Sequence, residues 1–285
     1  MTVITDPRCA SYREPGHPER PERVSRTLEL LKSQTALPIT WATPLEPEES
    51  QILRVHDPLF LDRLSLPMDF DTDTPAHPDI RSHAERSVGG ALSALKAALD
   101  NDAALSLMRP PGHHATADRA MGFCYLNSVA IAALEALSSG HRPVAVYDFD
   151  VHHGNGTEDI FLGRDDCAYF SVHQYPAYPG TGRYSSDNAH NYPVRPGASR
   201  DEYRSALRQA LDDLKAFRPA LVAVSAGFDA YRGDPLSDAS LEEEDYHWLG
   251  AELRRLGVPC FGVLEGGYSD ELPNLILAYL RGAAG

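Results

Sequence analysis

Residues 143–156 read PVAVYDFDVHHGNG, an apolar run that passes directly into alternating carboxylates and imidazoles. The run Pro143–Phe149 does not alternate apolar with polar side chains over most of its length, which is typical of a strand buried on both faces of a parallel sheet. The core is therefore predicted to form around a mainly parallel sheet. Comparable runs recur at Ala103–Met108, Ala168–Val172, Ala220–Ser225 and Pro259–Leu264.

Helical patterns occupy the intervals between these runs. Two helices are predicted to begin with a capping box, in which serine is followed three residues later by glutamate: Arg200–Phe217 after Ser199, and Leu241–Leu256 after Ser240. Strands that alternate with helices predict an α/β three-layer sandwich, with residues 1–285 as one domain. The other predictions are helices at Ser82–Leu99 and Ser128–Leu137, a helix within Pro18–Leu31, and a loop at Asp69–Pro78.

Polar residues follow four of the predicted strands, at the point where each strand ends. The carboxyl ends of parallel strands open on one edge of a sheet, and this edge is where α/β proteins bind ligands. Four segments from distant parts of the chain are therefore expected to meet and form a site. They are Arg109–His114, Asp148–Gly156, Ser225–Asp229 and Glu265–Tyr268.

The first of the predicted sites is a metal centre. Asp148, Asp150 and His152 are spaced two residues apart, so in an extended segment their side chains point to the same side. Two carboxylates and an imidazole at close range require a cation between them. Asp150, His152 and Asp229 are the predicted ligands, because three protein ligands leave the open position of a catalytic site. Asp148 then lies behind them and can orient a histidine.

Acid–base chemistry is predicted for the adjacent residues His113 and His114, since histidine titrates near neutral pH. Two acidic ligands neutralise a divalent cation, so such a site needs its own general base. Asp148 can hold one of the histidines as imidazolium, and Asn155 can orient the other as neutral imidazole. Tyr268 is the candidate hydrogen-bond donor to a carbonyl oxygen, with a packed loop tyrosine as the alternative.

Three further residues have two interpretations each. Glu265 is either a surface acid or a group that supports the site from behind. Phe123 and Tyr178 lie in glycine-rich loops, where an aromatic side chain either packs or forms the wall of a narrow apolar channel.

The composition limits the classes of partner. A formal net charge of −15 argues against a nucleic-acid surface. No apolar stretch approaches the roughly 20 residues of a membrane span, and the first residues do not form a secretory signal, so a cytoplasmic protein without a membrane partner is expected. The four cysteines stand singly, which excludes a zinc finger and argues against disulfides.

The motifs together resemble the zinc-dependent histone deacetylase family, which includes acetylpolyamine amidohydrolases and bacterial histone deacetylase-like amidohydrolases. They follow the family's order over nearly the whole chain, and Asn155 and Glu265 resemble its class II branch. The resemblance implies the arginase/deacetylase fold and the hydrolysis of an N-acyl amide, most of all an N-acetyl amide. The matching segments are Gly16–Arg23, Arg109–Ala115, Gly122–Cys124, Asp148–Thr157, Tyr178–Gly182, Gly227–Ala230, Gly233–Pro235 and Glu265–Tyr268.

The resemblance also implies roles for the catalytic residues. Zn²⁺, with Fe²⁺ as the alternative ion, would occupy the three ligands predicted above. His114 would be the general base and then the general acid, and His113, paired with Asp148, would be its electrostatic partner. Tyr268 would polarise the amide carbonyl.

A substrate channel and a second ion are implied as well. Phe123 and Tyr178 would flank the acyl-amine side chain, and the carbonyl of Gly122 would accept the scissile N–H. A structural K⁺ near the zinc loop is a property of the family. Its ligands here would be Asp148, the backbone carbonyls of Asp150, His152 and Val172, and the hydroxyl of Ser171.

Leu236 bears on the choice of substrate, because one polyamine-selective branch has a carboxylate at this position. The leucine favours an acetyl-lysine protein or peptide, or a small acylated metabolite, over an acetylpolyamine, although Asp71 or Asp73 offers another carboxylate. Two rival functions are a ureohydrolase of the same fold with two manganese ions and a non-catalytic acyl-amine binding protein. The presence of His114 and Tyr268 argues against the second.

Overall fold

The computed structural model describes residues 1–100 and 102–285. Its strands, numbered along the chain, are β1 Thr2–Ile4, β2 Thr40–Ala42, β3 Ala104–Ser106, β4 Val144–Asp148, β5 Cys167–Gln174, β6 Ala189–Val194, β7 Leu221–Ala226 and β8 Cys260–Leu264. In these residues they form one sheet in the order β2-β1-β3-β8-β7-β4-β5-β6, and every pair is parallel. The predicted parallel sheet is confirmed.

Strands β1, β2 and β6 were not predicted from the sequence. The first two are three residues long, which is too short to show a periodic pattern. Strand β6 contains His190, Asn191 and Pro193 and lies at an edge of the sheet, where polar residues and proline are tolerated. Short strands and edge strands carry the weakest signals in a sequence.

Helices connect the strands as the patterns predict, and α7 begins with the predicted capping box of Ser199 and Glu202. Four helices were not among the predictions: Glu49–Ile52, Pro58–Arg63, Asn155–Phe161 and Leu272–Ala284. No helix in residues 1–100 and 102–285 is long and apolar enough to span a membrane. The helices are α1 Glu22–Ser33, α2 Glu49–Ile52, α3 Pro58–Arg63, α4 Ile80–Leu99, α5 Ser128–Ser138, α6 Asn155–Phe161, α7 Arg200–Phe217, α8 Glu243–Arg255 and α9 Leu272–Ala284.

The predicted capping box of α8 is wrong. The helix begins at Glu243, and its box consists of Glu242 and Asp245. Ser240 does not cap the helix, because its hydroxyl donates to the carbonyl of Ala198. Leu241 is held in an isolated parallel bridge, so the backbone cannot turn into the helix before this residue has passed.

The sheet lies between two helical layers, each with its own apolar core. Strand β4 shows the division, because Ala145 and Tyr147 face the core on the side of α1, α7, α8 and α9, whereas Val144 and Val146 face the core formed with α2 to α6. Side chains of a strand point alternately to its two faces, so a strand buried on both sides is apolar throughout. The predicted three-layer α/β sandwich is therefore confirmed.

Candidate active site

The segments that follow β3, β4, β7 and β8 meet at the carboxyl edge of the sheet, around a cavity of about 400 Å³. His17, Pro18 and Asp73, from the first part of the chain, also line this cavity. Of these three, only Asp73 is a candidate from the sequence, as an alternative carboxylate at the mouth of the channel. Residues singled out from the sequence line the rest: His114, Gly122, Phe123, His152, Tyr178, Leu236 and Tyr268.

Asp150, His152 and Asp229 form a compact group, called here the metal-ligand cluster. One donor atom from each residue lies within 4.8 Å of the other two. The His152 Nδ1 atom is 3.2 Å from Asp150 Oδ1 and 3.0 Å from Asp229 Oδ2. Both carboxylates are buried. One imidazole and two carboxylates at this spacing suit a divalent cation, which would remove the repulsion between the buried acids.

Backbone amides aim the carboxylates of the metal-ligand cluster. Gly266 N–H donates to Asp150 Oδ2 at 2.7 Å, and Val151 N–H donates to Asp229 Oδ1 at 2.9 Å. The prediction of an extended segment through His152 is wrong in part, because β4 ends at Asp148. A loop, fixed by these backbone contacts, therefore carries the ligands Asp150 and His152.

The pKa values of the metal-ligand cluster reflect its excess of negative charge. Burial raises the pKa of Asp229 to about 7, and the neighbouring charge of Asp150 acts in the same direction. Burial would lower the pKa of His152, but its contacts with Asp150 and Asp229 outweigh burial and hold it well above its ordinary value. The two carboxylates of the cluster therefore stabilise a positive charge that lies between them.

His113 is held as a charged imidazole beside Asp148. Its Nδ1 lies 3.1 Å from Asp148 Oδ2, and the same carboxylate oxygen accepts a hydrogen bond from the hydroxyl of Tyr169 at 2.9 Å. Burial lowers the pKa of His113, but the carboxylates of Asp150 and Asp148 outweigh it and raise the pKa to about 10. An imidazole in this position keeps its proton at neutral pH.

His114 is held in the opposite state. Its Nδ1 lies 2.9 Å from Asn155 Oδ1, and the amide nitrogen of Asn155 faces the carbonyl of His114 and the sulfur of Met121. The amide oxygen therefore accepts from Nδ1–H, which leaves the lone pair on Nε2. Burial and the positive charge of His113 hold the pKa of His114 well below its ordinary value. This histidine can accept a proton.

The two histidine rings are in contact, with 4.0 Å between their centroids. Asp148 and Asn155, the partners expected from the sequence, therefore give adjacent side chains opposite charge states. The order of the pairing is the one that the family resemblance implies.

Tyr268 lines the same cavity as His114. Its ring lies edge-on to Phe123 at 5.7 Å, and its backbone N–H donates to Asp234 Oδ2 at 2.7 Å. The hydroxyl has no hydrogen-bond partner in the described part of the chain. Burial raises the pKa of Tyr268 well above its ordinary value, so the hydroxyl keeps its proton and can donate it to a bound group.

The remaining cavity wall is aromatic and narrow. Gly122 and Phe123 both have positive φ angles, of 57° and 70°. A Cβ atom on Gly122 would lie 2.6 Å from the ring of His114 and 2.9 Å from that of Tyr178, so only glycine fits. Tyr178 and Leu236 are 40% and 37% exposed, which places them at the mouth of the cavity.

Buried charges behind Tyr268 form a second group, called here the arginine–glutamate cluster: Glu19, Arg23 and Arg109. Arg109 Nη2 donates to Glu19 Oε2 at 2.6 Å, and Arg23 Nη1 donates to Glu19 Oε1 at 3.2 Å. Arg23 also donates to the carbonyl of Gly267 at 2.7 Å and lies 4.8 Å from the centre of the Tyr268 ring. The motifs Gly16–Arg23 and Arg109–His114 contain these residues, but the sequence gives no sign that their charges pair with one another.

The predicted potassium ligands lie next to the metal-ligand cluster. In the parallel register of β4 and β5, Asp148 pairs with Ser171. The Nε2 of His173 faces the carbonyl of Gly182, so Nε2 carries the hydrogen and Nδ1 accepts from the Ser171 hydroxyl at 2.8 Å. A hydroxyl that donates to His173 can present its oxygen lone pairs to other groups, as a cation ligand requires. Val172 follows, with its carbonyl 3.5 Å from the hydroxyl of Tyr203.

Comparisons with known proteins give the family of this chain. Residues 17–282 match the histone deacetylase domain family. A probable deacetylase of Methanothermobacter thermautotrophicus is 39% identical over 302 residues, covering 100% of this chain and 91% of the relative. The histone deacetylase-like amidohydrolase of Pseudomonas aeruginosa is 37% identical over 281 residues, covering 90% of this chain and 73% of that protein.

A solved structure shows the same architecture. The crystal structure of an acetylpolyamine aminohydrolase from Burkholderia pseudomallei superposes with a TM-score of 0.91 and 29% sequence identity, covering 99% of this chain and 98% of the other. The fold is therefore the arginase/deacetylase α/β fold. With the family match over most of its length, the chain belongs to the histone deacetylase family of deacetylating enzymes.

Proposed function

We propose that this protein hydrolyses the N-acyl amide of an acylated amine, above all the N-acetyl amide, with one divalent cation on the metal-ligand cluster. The observation that carries the proposal is that His114, His152 and Tyr268 line one cavity. A proton acceptor, a metal ligand and a hydroxyl donor can therefore act on the same carbonyl group. The intact acid–base residues favour an enzyme over an acyl-amine binding protein.

The cation on Asp150, His152 and Asp229 is proposed to be Zn²⁺, with Fe²⁺ as the alternative, since imidazole and carboxylate ligands suit both. When bound there, it would polarise the amide carbonyl and increase the acidity of water. Two carboxylate ligands neutralise its charge, so the protein must supply the base. A two-manganese ureohydrolase requires further carboxylate and histidine ligands for a second ion. Here the neighbouring Asp148 and His113 pair with each other, and this favours a single metal.

His114 is the proposed general base, because it lines the cavity with its Nε2 lone pair available. A pKa well below its ordinary value keeps the ring unprotonated at neutral pH. His114 accepts a proton from the water that attacks the carbonyl carbon. Asn155 keeps the ring in the required tautomer by accepting from Nδ1. The same nitrogen then returns the proton to the amine as the C–N bond breaks.

Tyr268 is the proposed donor to the carbonyl oxygen as that oxygen becomes negative. His113 stays protonated beside Asp148, so it contributes positive charge near the reaction and does not exchange protons. Phe123 and Tyr178 would flank the chain of the acyl-amine, and the carbonyl of Gly122 would accept its N–H.

The proposed substrate is an acetyl-lysine peptide or a small acylated amine. Leu236 at the cavity mouth is uncharged, so it cannot pair with a distal ammonium. Asp73 also lines the cavity, and this one observation keeps an acetylpolyamine as the second candidate. The cavity lining therefore includes an apolar side chain, Leu236, and a carboxylate, Asp73.

A structural K⁺ is proposed beside the cation site, on Asp148, Ser171 and the carbonyls of Asp150, His152 and Val172. The oxygen lone pairs that the Ser171 hydroxyl can present support this assignment. Oxygen ligands of this kind suit a hard cation. A bound K⁺ would hold the loop that carries two ligands of the metal-ligand cluster.

The test is to incubate the zinc-loaded protein in parallel with acetyl-lysine peptides, N-acetylputrescine and N-acetylspermidine. Free amine is measured with and without a hydroxamate chelator. Release that the chelator stops supports the proposed hydrolysis, and the ratio of rates decides between lysine and polyamine. One bound metal per chain with no release from any compound would contradict the proposed reaction on these substrates.

A further inference from the structure

Glu265 directly follows β8, and its carboxyl group is fully buried. Its Oε2 accepts the backbone N–H of Gly112 at 2.7 Å and that of His113 at 3.1 Å. Its Oε1 lies 3.4 Å from the hydroxyl of Ser225 on β7. Of the two interpretations offered by the sequence, the surface acid is wrong.

The loop before His113 depends on this carboxyl group for its amide donors. Pro110 and Pro111 have no N–H, so Gly112 and His113 carry the first donors of the loop. Among the described residues, Glu265 is the acceptor of both. Without it two buried amides would lose their hydrogen bonds, and the loop would move to regain them.

Glu265 also belongs to the segment that carries Tyr268. Its own N–H donates to the carbonyl of Ala226 at 2.9 Å, and its carbonyl accepts from Arg23. The carboxyl group therefore joins the backbone that carries His113 and His114 to the backbone that carries Tyr268. In the proposed reaction the base and the hydroxyl donor approach one carbonyl group, so their spacing must be held closely.

We propose that Glu265 is a positioning residue, which sets the distance between His114 and Tyr268 by accepting the amides of Gly112 and His113. The expected effect on kcat rests on the proposed hydrolysis, whereas the expected effect on the loop does not. Acceptance by one oxygen is what matters in this role, not the negative charge. Burial raises the pKa of Glu265 to about 7, against the charge of His113, and a neutral acid would keep the same acceptor.

Two variants separate reach from charge. Glu265→Gln removes the charge but keeps an oxygen that can accept both amides, and its new amide group can donate to Ser225. Glu265→Asp keeps the charge but withdraws the oxygen by one methylene. Glu29→Gln and Glu29→Asp are the matched controls, because Glu29 is exposed on α1 and has no side-chain partner among the described residues.

Turnover of an acetylated amine and hydrogen exchange of the peptide that contains residues 109–116 are measured for each variant. Glu265→Asp is expected to lower kcat by on the order of 10-fold with little change in KM, and to accelerate exchange at Gly112 and His113. Glu265→Gln is expected to stay within about threefold of the wild type in kcat, with wild-type exchange. A merely structural role would not separate kcat from KM in this way.

Three outcomes would overturn the assignment. Wild-type kcat and exchange in both variants would mean that the contacts do not matter. A slow Gln variant beside a fast Asp variant would assign the effect to charge. Loss in both would exclude hydrogen-bond acceptance as the cause, since Gln keeps it. If the wild type itself released no amine, the proposed function would fail, and the exchange measurements would still decide the positioning role.

Discussion

Two groups of buried charge lie near Tyr268, and their charge balance differs. The arginine–glutamate cluster has one carboxylate for two guanidinium groups, whose other donors go to backbone carbonyls such as that of Gly267. The metal-ligand cluster has two carboxylates for one imidazole. In the first, every charged group has hydrogen-bond partners within the protein, and the group holds distant segments together. The second would be balanced by the proposed cation, and this difference supports its assignment as the reactive site.

Burial acts on both groups in the same way, but the partners decide the result. Burial raises the pKa of Glu19, yet Arg109 and Arg23 outweigh burial and lower it to about 2. Asp229 forms no salt bridge with an arginine in residues 1–100 and 102–285, and burial raises its pKa to about 7. A buried carboxylate whose pKa stays raised despite an adjacent histidine therefore differs from one that arginines hold ionised in a structural ion pair.

The largest expected effect comes from emptying the metal-ligand cluster. Removal of the cation with a chelator, or the variant Asp229→Asn, should lower turnover by on the order of 10³-fold or more, because both carbonyl polarisation and water activation are lost. Metal content per chain should fall from one towards zero in the variant. Asp212→Asn, at an exposed position of α7, is the control. Full turnover by the metal-free protein would break the comparison.

Tyr268→Phe is expected to have the next largest effect. Loss of the hydroxyl donor should lower kcat by on the order of 10²–10³-fold, with little change in KM, as for the removal of an oxyanion donor. Metal content should be unchanged. Tyr184→Phe is the matched control, because Tyr184 is 72% exposed. Unchanged turnover in Tyr268→Phe would show that the metal-ligand cluster acts without this donor.

Breaking the arginine–glutamate cluster should reduce stability more than it reduces metal binding. Glu19→Gln leaves Arg109 buried without its carboxylate, at a cost of about 3 kcal/mol. For a chain of this length that corresponds to a fall in Tm of roughly 6–12 °C, measured by a thermal scan at fixed metal concentration. Equal melting of Glu19→Gln and wild type would contradict the structural role.

The pH dependence of this contribution follows from the sign of the pKa shift. The pKa of Glu19 falls from its ordinary 4.5 to about 2 on folding, so its stabilisation is fully present above pH 4.5 and is lost as the pH falls through 2. The difference in free energy of unfolding between the wild type and Glu19→Gln should therefore shrink from pH 5 towards pH 2. A difference that stays constant over this interval would show that the charge of Glu19 is not responsible.

The smallest effect is expected at the cavity mouth, where charge stays in contact with water. Leu236→Glu would add a carboxylate that can pair with a distal ammonium, and it should raise kcat/KM for N-acetylspermidine relative to an acetyl-lysine peptide by about two- to fivefold. Leu236→Gln controls for the change in shape. An equal ratio in both variants would mean that the ammonium does not reach this position.

Much of the site could be predicted from the sequence because its residues stand where strands end. Asp148, Asp150 and His152 follow an apolar run, and Asp229 follows another, so a parallel sheet must bring them to one edge. The burial of Glu265 could not be predicted, because it depends on the loop of Gly112 lying against β8.

The sequence by itself determined the parallel α/β core, the convergence of four loops and the residue types of a metal site. From residue types alone, either histidine could pair with Asp148 or with Asn155. The tertiary structure decided that Asp148 pairs with His113 and that Asn155 pairs with His114. It also decided that Glu19 and Arg109, 90 residues apart in the chain, neutralise each other. The physical reason is that strands and helices repeat along the chain, whereas the direction of a loop side chain is set by contacts with distant segments.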